Sequence, residues 1–442
     1  MSFNRFLHRL RDPIGFYEQM HKEEGEIASF RIFNRKFCVV YSPELIEELL
    51  VKKRTSFEKG PLFKEKRILK NPTSATADGD DHRRIRKLVQ PAFQRKALEG
   101  YARVMIDEAL QLRSRWRDGE TVDIDAQTHQ MTLDIIAKTF FGSDVHIDSS
   151  LINDLLESLT WSLTLTMLPL ENLIARLPLN KNRQRHHVIE AMDQVVYNVI
   201  HKAHTDPEMR ADLVSFLVHA KDEEGIDPAL NDQEVRDESY VMILAGHETS
   251  ANALTWCFYH LSRNPDARAR LEKEVDEVLG GRPPTLADYN RLPYTRAVFD
   301  ETLRVTPPFY AFGRTALEDC VLGDYHIPKG TVVQVYMRVP HRAEKYFPQA
   351  TEFKPERWLG TKQPTHPRNA YFPFGIGVRT CIGAEFARME VIFALSTITQ
   401  RWRITVIEEE YPEIVKVMVY KCKNGLRCTV HERKPSLNDS VD

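Results

Sequence analysis

One run of this chain restricts its fold more than any other: "NDQEVRDESYVMILAGHETSANALTWCFYHLSRNP", Asn231 to Pro265. Apolar residues recur at spacings of three and four, which predicts a helix. Asn231 followed by Glu234 has the pattern of a capping box, and Pro265 stops the run. About 32 residues at 1.5 Å each make a rod of about 48 Å, around which the rest of the chain must pack. The centre of that rod is apolar on nearly every side, so it is expected to run through a protein interior. Yet Gly246, His247, Glu248, Thr249 and Ser250 stand at its midpoint. A helical Gly costs about 1 kcal/mol against Ala, and an unpaired buried carboxylate costs several. Two readings fit: a kinked core helix whose Glu and Thr bond to neighbours, or a small residue that makes room for a ligand at which an acid and an alcohol are aimed.

The remaining sequence supplies enough material to bury such a rod. The 442 residues carry a formal net charge of −2 and are 42% hydrophobic, which excludes a disordered or fibrous chain. Near-neutral charge argues against dedicated nucleic-acid binding. Length alone suggests roughly three domains, but no Gly/Ser-rich or Pro-rich spacer divides the chain and no repeat period is visible. "IASFRIFNRKFCVVY" reads as two strands around the Asn34-Arg35 turn, and Pro43 opens a helical "PELIEELLVKK". From Asp81 to about Arg263 the pattern is helical. After Pro307 it turns irregular, with strand-like "TVVQVYM", one last helix after Cys381, and closing strands. The fold class expected is mainly α with small, segregated β-sheets (α+β). The N-terminus is polar, and the most apolar segment, from Trp161, is broken by Pro169 and Glu171. No signal peptide or membrane anchor is therefore expected, and a cytoplasmic, reducing setting is.

Four further segments carry chemistry. In "YFPFGIGVRTCIGAEFARMEV", Cys381 precedes a helical pattern, and the positive end of a helix favours a thiolate. Gly375, Gly377 and Gly383 permit tight turns and the close approach of a flat object. The alternative is an inert buried thiol. None of the six cysteines forms a CxxC pair, so a zinc or thioredoxin-type site has no support. In "FDETLRVTPP", Glu301 and Arg304 share a helix face, and Arg357 in "FKPERWL" offers a third charge; a solvated surface pair is the alternative. In "DGDDHRRIRKLVQPAF", His82 and Arg86 lie four apart on one face, suited to carboxylates of a cofactor or simply part of a basic helix. Arg314 in "FGRTALED" is open in the same way.

These segments, together and in this order, resemble the cytochrome P-450 superfamily of heme-thiolate monooxygenases. The cysteine signature reads Phe374-Gly375-x-Gly377-x-Arg379-x-Cys381-x-Gly383, and the oxygen-helix signature reads Ala245-Gly246-x-Glu248-Thr249-Ser250. The ExxR pair is Glu301 and Arg304, followed by "PERW". The resemblance extends over essentially the whole chain. It implies one domain, 1–442, with a β-rich portion at about 25–60 and 307–442 and a helical portion at about 81–306. Heme b (iron protoporphyrin IX) is the implied cofactor, held between the long central helix and the helix after the Cys loop.

Carried over residue by residue, the resemblance makes Cys381 the iron ligand and Phe374 its shield. His82, Arg86, Arg314 and Arg379 become propionate contacts, with Gly375 and Gly383 shaping the cofactor loop. Ala245 and Gly246 would border the oxygen pocket, with Glu248 and Thr249 as the catalytic proton relay. Glu301, Arg304 and Arg357 become a structural charge cluster. Leu163, Met167, Phe309, Tyr310 and Phe312 would line a greasy substrate pocket. The implied reaction puts one atom of O2 into a fatty acid, terpenoid, steroid or polyketide-like substrate, as in secondary metabolism. Neither a flavin nor an iron–sulfur pattern is present, so NAD(P)H-derived electrons are expected through a separate ferredoxin, flavodoxin or reductase. Arg83, Arg84, Lys87, Arg95 and Lys96 offer a basic docking face or a merely solvated helix. A monomer is expected, with no nucleic acid or membrane among its partners. The rivals are a peroxygenase of the same fold, a non-catalytic heme sensor, and a heme-free binding protein. Two departures stand out: His82 replaces the Trp of many members, and Asp324 stands where Gly is usual.

Overall fold

The computed structural model describes residues 12–32, 35–60, 67–142, 145, 147–165, 171–206, 212–221, 229–360, 366–415 and 419–433. The chain gathers into two compact units. One comprises Met1–Glu58, Met105–His129 and Thr249–Asp442, the other Lys59–Val104 and Gln130–Glu248.

The first unit holds the sheets. Strands β1 (Ile27–Ile32) and β2 (Arg35–Val40) pair antiparallel, as their alternating apolar residues predict; the turn residue Asn34 lies outside the described residues. With β3 (Phe57–Lys59), β5 (Ala311–Ala316) and β8 (Val332–Tyr336) they form a five-stranded sheet of order β1-β2-β8-β5-β3. The expected strand "TVVQVYM" is thus the middle strand. All five of its residues are buried, which a near-continuous apolar run requires when both faces are covered. It runs parallel to β2 and antiparallel to β5. Val40, Ile46, Leu49, Val333, Val335 and Phe372 belong to the core packed on this sheet.

"PELIEELLVKK" starts as an α-helix at Pro43, with the Ser42 side chain capping Leu45, and then widens into a π-helix over Glu48–Lys52. A three-stranded sheet of order β4-β10-β9 joins Glu120–Asp123 (β4) to Arg427–Glu432 (β10) and Trp402–Val406 (β9). Strand β4 interrupts the stretch expected to be helical. A small ribbon pairs β6 (Cys320–Leu322) with β7 (Tyr325–Ile327). Two helices of this unit matter for the site: Pro293–Val305, called here the charge-cluster helix, and Ala384–Thr399, the cysteine helix.

In the second unit, helices Ser149–Leu165 and Asn180–Thr205 pack on one another, and Trp161 Nε1 donates to Asn182 Oδ1 at 2.9 Å. The segment at 67–74 is strapped down by three consecutive charged residues. Arg236 donates to the Ile68 carbonyl, Asp237 accepts from the Lys70 and Asn71 amides, and Glu238 accepts from Ser74. All three are buried, Arg236 and Asp237 as an ion pair and Glu238 as an acceptor from Ser74, which is what makes their burial tolerable.

The long helix runs Asp232–Arg263, within a residue or two of its expected bounds. Asn231 Oδ1 accepts from the Glu234 amide and Glu234 Oε2 from the Asn231 amide, both at 3.0 Å, so the capping box is formed. Pro265 begins a new helix at its first position, where the missing N–H costs nothing.

Candidate active site

The long helix passes unbroken through Gly246. A Cβ there would stand 2.8 Å from Ile136 Cδ1 and 3.7 Å from Phe140, so the glycine lets the helix from Ile124 to Phe141 come close. In the same unit, Thr132 donates to the His247 carbonyl at 3.3 Å. Burial along the helix centre is uneven. His247 and Ser250 are buried, Gly246, Glu248 and Thr249 are half-buried, and Ala245 is exposed. The expected all-round burial of the rod thus lapses at its midpoint, over residues 245–249, where only His247 is buried.

The cysteine loop is built by backbone geometry. Gly375 and Gly377 both have φ of +74°, the left-handed region that side-chain-bearing residues avoid. A Cβ on Gly377 would also lie 3.0 Å from the Leu50 carbonyl oxygen, so that glycine is required twice over. The loop then folds back on itself: the Cys381 amide donates to the Phe374 carbonyl at 2.8 Å, and the Thr380 hydroxyl to the Gly377 carbonyl at 2.7 Å. The helix proper starts at Ala384 with Gly383 as its N-cap, slightly later than the sequence suggested.

Cys381 is exposed, whereas Cys38, Cys257, Cys422 and Cys428 are buried and Cys320 is partly so. Burial pushes the thiol of every one of those five upward, Cys257 to about 12. They are held as neutral thiols. Cys381 alone is presented, on a glycine-shaped loop ahead of a helix N-terminus, which is the donor chemistry a thiolate-ligated metal cofactor demands. Cys381 is thus not the buried thiol of the alternative reading.

Glu301 and Arg304 are fully buried, so the surface-pair alternative is also excluded. Arg304 meets the Glu301 carboxylate with Nε and Nη2 at 2.9 and 2.8 Å, and gives its remaining N–H groups to the carbonyls of His341, Ala350 and Glu352 at 2.8–3.0 Å. Arg357 Nε adds a contact to Glu301 at 3.0 Å. Two partners the sequence did not single out complete the shell: Trp358 Nε1 at 2.9 Å and the Lys354 amide at 2.8 Å. The indole next to Arg357 in "PERW" was the available signal.

Other expected residues fall as follows. In the second unit His82 is buried and Arg86 half-buried, both on the amphipathic helix Gly79–Val89. In the first unit Arg314 and Arg379 are half-buried, with the Arg314 guanidinium 5.4 Å from the Phe312 ring. Tyr310 is buried, whereas Phe309 is 41% exposed and so contributes less to an enclosed pocket than its sequence position suggested. The Leu163 side chain and Met167 lie outside the described residues. Of the expected basic docking residues, Arg84 is committed to Glu234 and Arg83 pairs with Asp80 at 3.1 Å on the helix Gly79–Val89, while Arg95 pairs with Glu99 at 3.2 Å on the next helix, Arg95–Arg115. Among the described residues, no helix is long and apolar enough to cross a membrane.

The cytochrome P450 family profile matches residues 4–421. Cyclooctatin synthase of Streptomyces melanosporofaciens is 35% identical over 89% of this chain and 86% of its own length. Pentalenene oxygenase of Streptomyces avermitilis is 33% identical over 90% and 88%. The crystal structure of the cytochrome P450DA heme domain superposes with a TM-score of 0.88 at 27% identity, over 98% of this chain and 96% of that one. With a family profile over nearly the whole chain and relatives above 30% identity, the chain belongs to the cytochrome P450 family, monooxygenases that use heme and dioxygen.

Proposed function

We propose that this enzyme inserts one atom of dioxygen into a hydrophobic, terpenoid-class substrate, with NAD(P)H-derived electrons delivered by a separate ferredoxin, flavodoxin or reductase. Heme, when bound, supplies the iron at which dioxygen is activated, one oxygen atom going to substrate and the other leaving as water. The chain's residues do the rest. Cys381 would hold the heme iron through its sulfur, and the Phe374 carbonyl accepts from the Cys381 amide, which ties the cysteine into its loop. His82, Arg86, Arg314 and Arg379 hold the propionates as charge-assisted donors. Gly375, Gly377 and Gly383 keep bulk out of the loop. Ala245, exposed on the helix, borders the space for dioxygen, whereas the space Gly246 leaves is taken by Ile136; Glu248 and Thr249 hold and pass the protons that dioxygen needs. Tyr310 and Phe312 present apolar surface to substrate. Glu301, Arg304 and Arg357 clamp the segments around them and take no part in the reaction.

The observation that carries this reading is the exposure of Cys381 on a loop whose Gly375 and Gly377 hold a left-handed φ that side-chain-bearing residues avoid. The substrate class rests on relatives named for oxygenating pentalenene and cyclooctat-9-en-7-ol, the latter 31% identical over 89% of this chain. Reduced, CO-treated protein is expected to give the strongly red-shifted Soret band of a thiolate ligand, lost in Cys381→Ala. A band at the position of an imidazole-ligated heme, or one unaltered by that substitution, would refute the assignment. For substrate, cyclic sesquiterpene and diterpene hydrocarbons are expected to shift the heme spin state at lower concentration than fatty acids of equal carbon number. The reverse order would overturn the terpenoid choice.

A further inference from the structure

The cysteine helix carries a charge that the reaction as described does not use. Arg388 is the fifth residue of that helix, seven positions after Cys381, with its side chain only 20% exposed. Its guanidinium carbon is 5.4 Å from the centre of the Phe374 ring and 5.9 Å from that of Phe299, within cation–π range of both. The two rings lie 6.4 Å apart at 44°. Phe374 is the residue whose carbonyl holds the Cys381 amide, so whatever fixes its ring acts one hydrogen bond from the cysteine.

The arginine is itself fixed. Its Nη1 donates to Asp300 Oδ1 at 3.3 Å, and Nε lies 3.7 Å from Glu385 Oε2. Asp300 is anchored by the Tyr371 hydroxyl, 3.1 Å from Oδ1 and 2.9 Å from the Asp300 carbonyl. Glu385 accepts from the Tyr289 hydroxyl at 2.6 Å. Phe299, Asp300 and Glu301 are consecutive on the charge-cluster helix. One packs beside Phe374, the next holds Arg388, and the third holds Arg304. Arg suits this position because its planar cation stacks and forks at once, which a lysine ammonium cannot do.

We infer that Arg388 is a positioning residue for the thiolate centre: clamped by Asp300 and Glu385, it holds the Phe374 ring and sets the positive field behind the cysteine loop. The inference rests on the reading of Cys381 as the iron ligand. A cation near an electron-accepting centre favours its reduced form, and each carboxylate partner subtracts from that effect. Two loop residues and the first turn of the helix separate Arg388 from Cys381, a span on the order of 10 Å. At that distance and an effective dielectric near 20, one uncompensated charge changes a one-electron equilibrium by roughly tenfold.

The test is the ferric/ferrous midpoint potential of the heme-loaded protein, titrated in wild type and four variants. Asp300→Asn leaves the arginine uncompensated and is expected to favour reduction by roughly three- to tenfold, tenfold being about 59 mV for one electron. Glu385→Gln, at a half-exposed position where folding is not at risk, is expected to shift the same way by less. Arg388→Leu is expected to shift the opposite way, and Arg388→Lys to lie between it and wild type. A purely structural tie would not produce opposite signs from partners of one ion pair. Potentials unmoved in all four variants, or moved in one direction by both Asp300→Asn and Arg388→Leu, would overturn the inference. The CO band separates this from the reading beneath it. A red-shifted band with unmoved potentials overturns the role of Arg388 alone, whereas a wild-type band without the red shift overturns both.

Discussion

Glu390 offers a test of how the interior of this protein handles charge. It lies on the cysteine helix, 1% exposed, and neither carboxyl oxygen has a hydrogen-bond partner among the described residues. The group facing it is the Ser250 hydroxyl, one residue beyond Thr249. It draws the carboxyl's pKa down slightly without reaching hydrogen-bond distance. Burial dominates and pushes the carboxyl from its ordinary 4.5 up to about 8.

The sign follows from proton counting. Between 4.5 and about 8 the folded protein holds this proton and the unfolded chain does not. The stability contribution is therefore complete below the ordinary value and is lost as pH rises through the folded one. At about 1.4 kcal/mol per pH unit the whole window is worth roughly 5 kcal/mol, an upper figure. Glu390→Gln keeps the shape and removes the titration. Its stability relative to wild type is expected to rise by about 3 kcal/mol from pH 5.5 to pH 7.5. For a chain of this length that is about 3 °C in thermal midpoint, measured as the difference between the two proteins at each pH. The glutamine's own lack of partners shifts every point equally and leaves the slope untouched. A midpoint difference that stays constant across this range would show that the carboxyl does not change charge on unfolding, and the reasoning from burial would fail.

Three further outcomes are expected. Arg304→Ala strands the Glu301 carboxylate in the interior and should cost about 3–5 kcal/mol, seen as a lower thermal midpoint and poor recovery of folded, heme-loaded protein. Gly377→Ala must place a Cβ 3.0 Å from the Leu50 carbonyl at a φ of +74°, costing about 1–3 kcal/mol, while Gly246→Ala meets only the movable tip of Ile136 and should cost less; equal midpoints for the two would contradict the contact analysis. On the proposed proton-relay role, Thr249→Ala should retain the red-shifted CO band yet divert reducing equivalents to peroxide, and fully coupled turnover in that variant would count against the role.

What the sequence disclosed and what it hid divide along the range of the interactions involved. The long helix was legible to within a residue or two because its start and stop signals are local: Asn231 and Glu234 cap each other across one turn, and Pro265 cannot continue the ladder. Gly375 and Gly377 were legible for the same reason, since a left-handed φ is a demand one residue makes of itself. Strand β4 was hidden because "ETVD" has one buried residue of its own and owes its conformation to β10, some three hundred positions later. The Glu301–Arg304 pair was visible, but not its burial, which depends on carbonyls from His341 to Glu352 closing over it. Arg388 was wholly illegible. Nothing in "AEFARMEV" separates a stacked, clamped arginine from a solvated one until Phe299 and Asp300 are brought against it. A signature motif therefore marks the proposed iron ligand, while the groups proposed to adjust it are assembled from elsewhere in the chain. Their effect is to be sought in potentials and pH profiles rather than in further motifs.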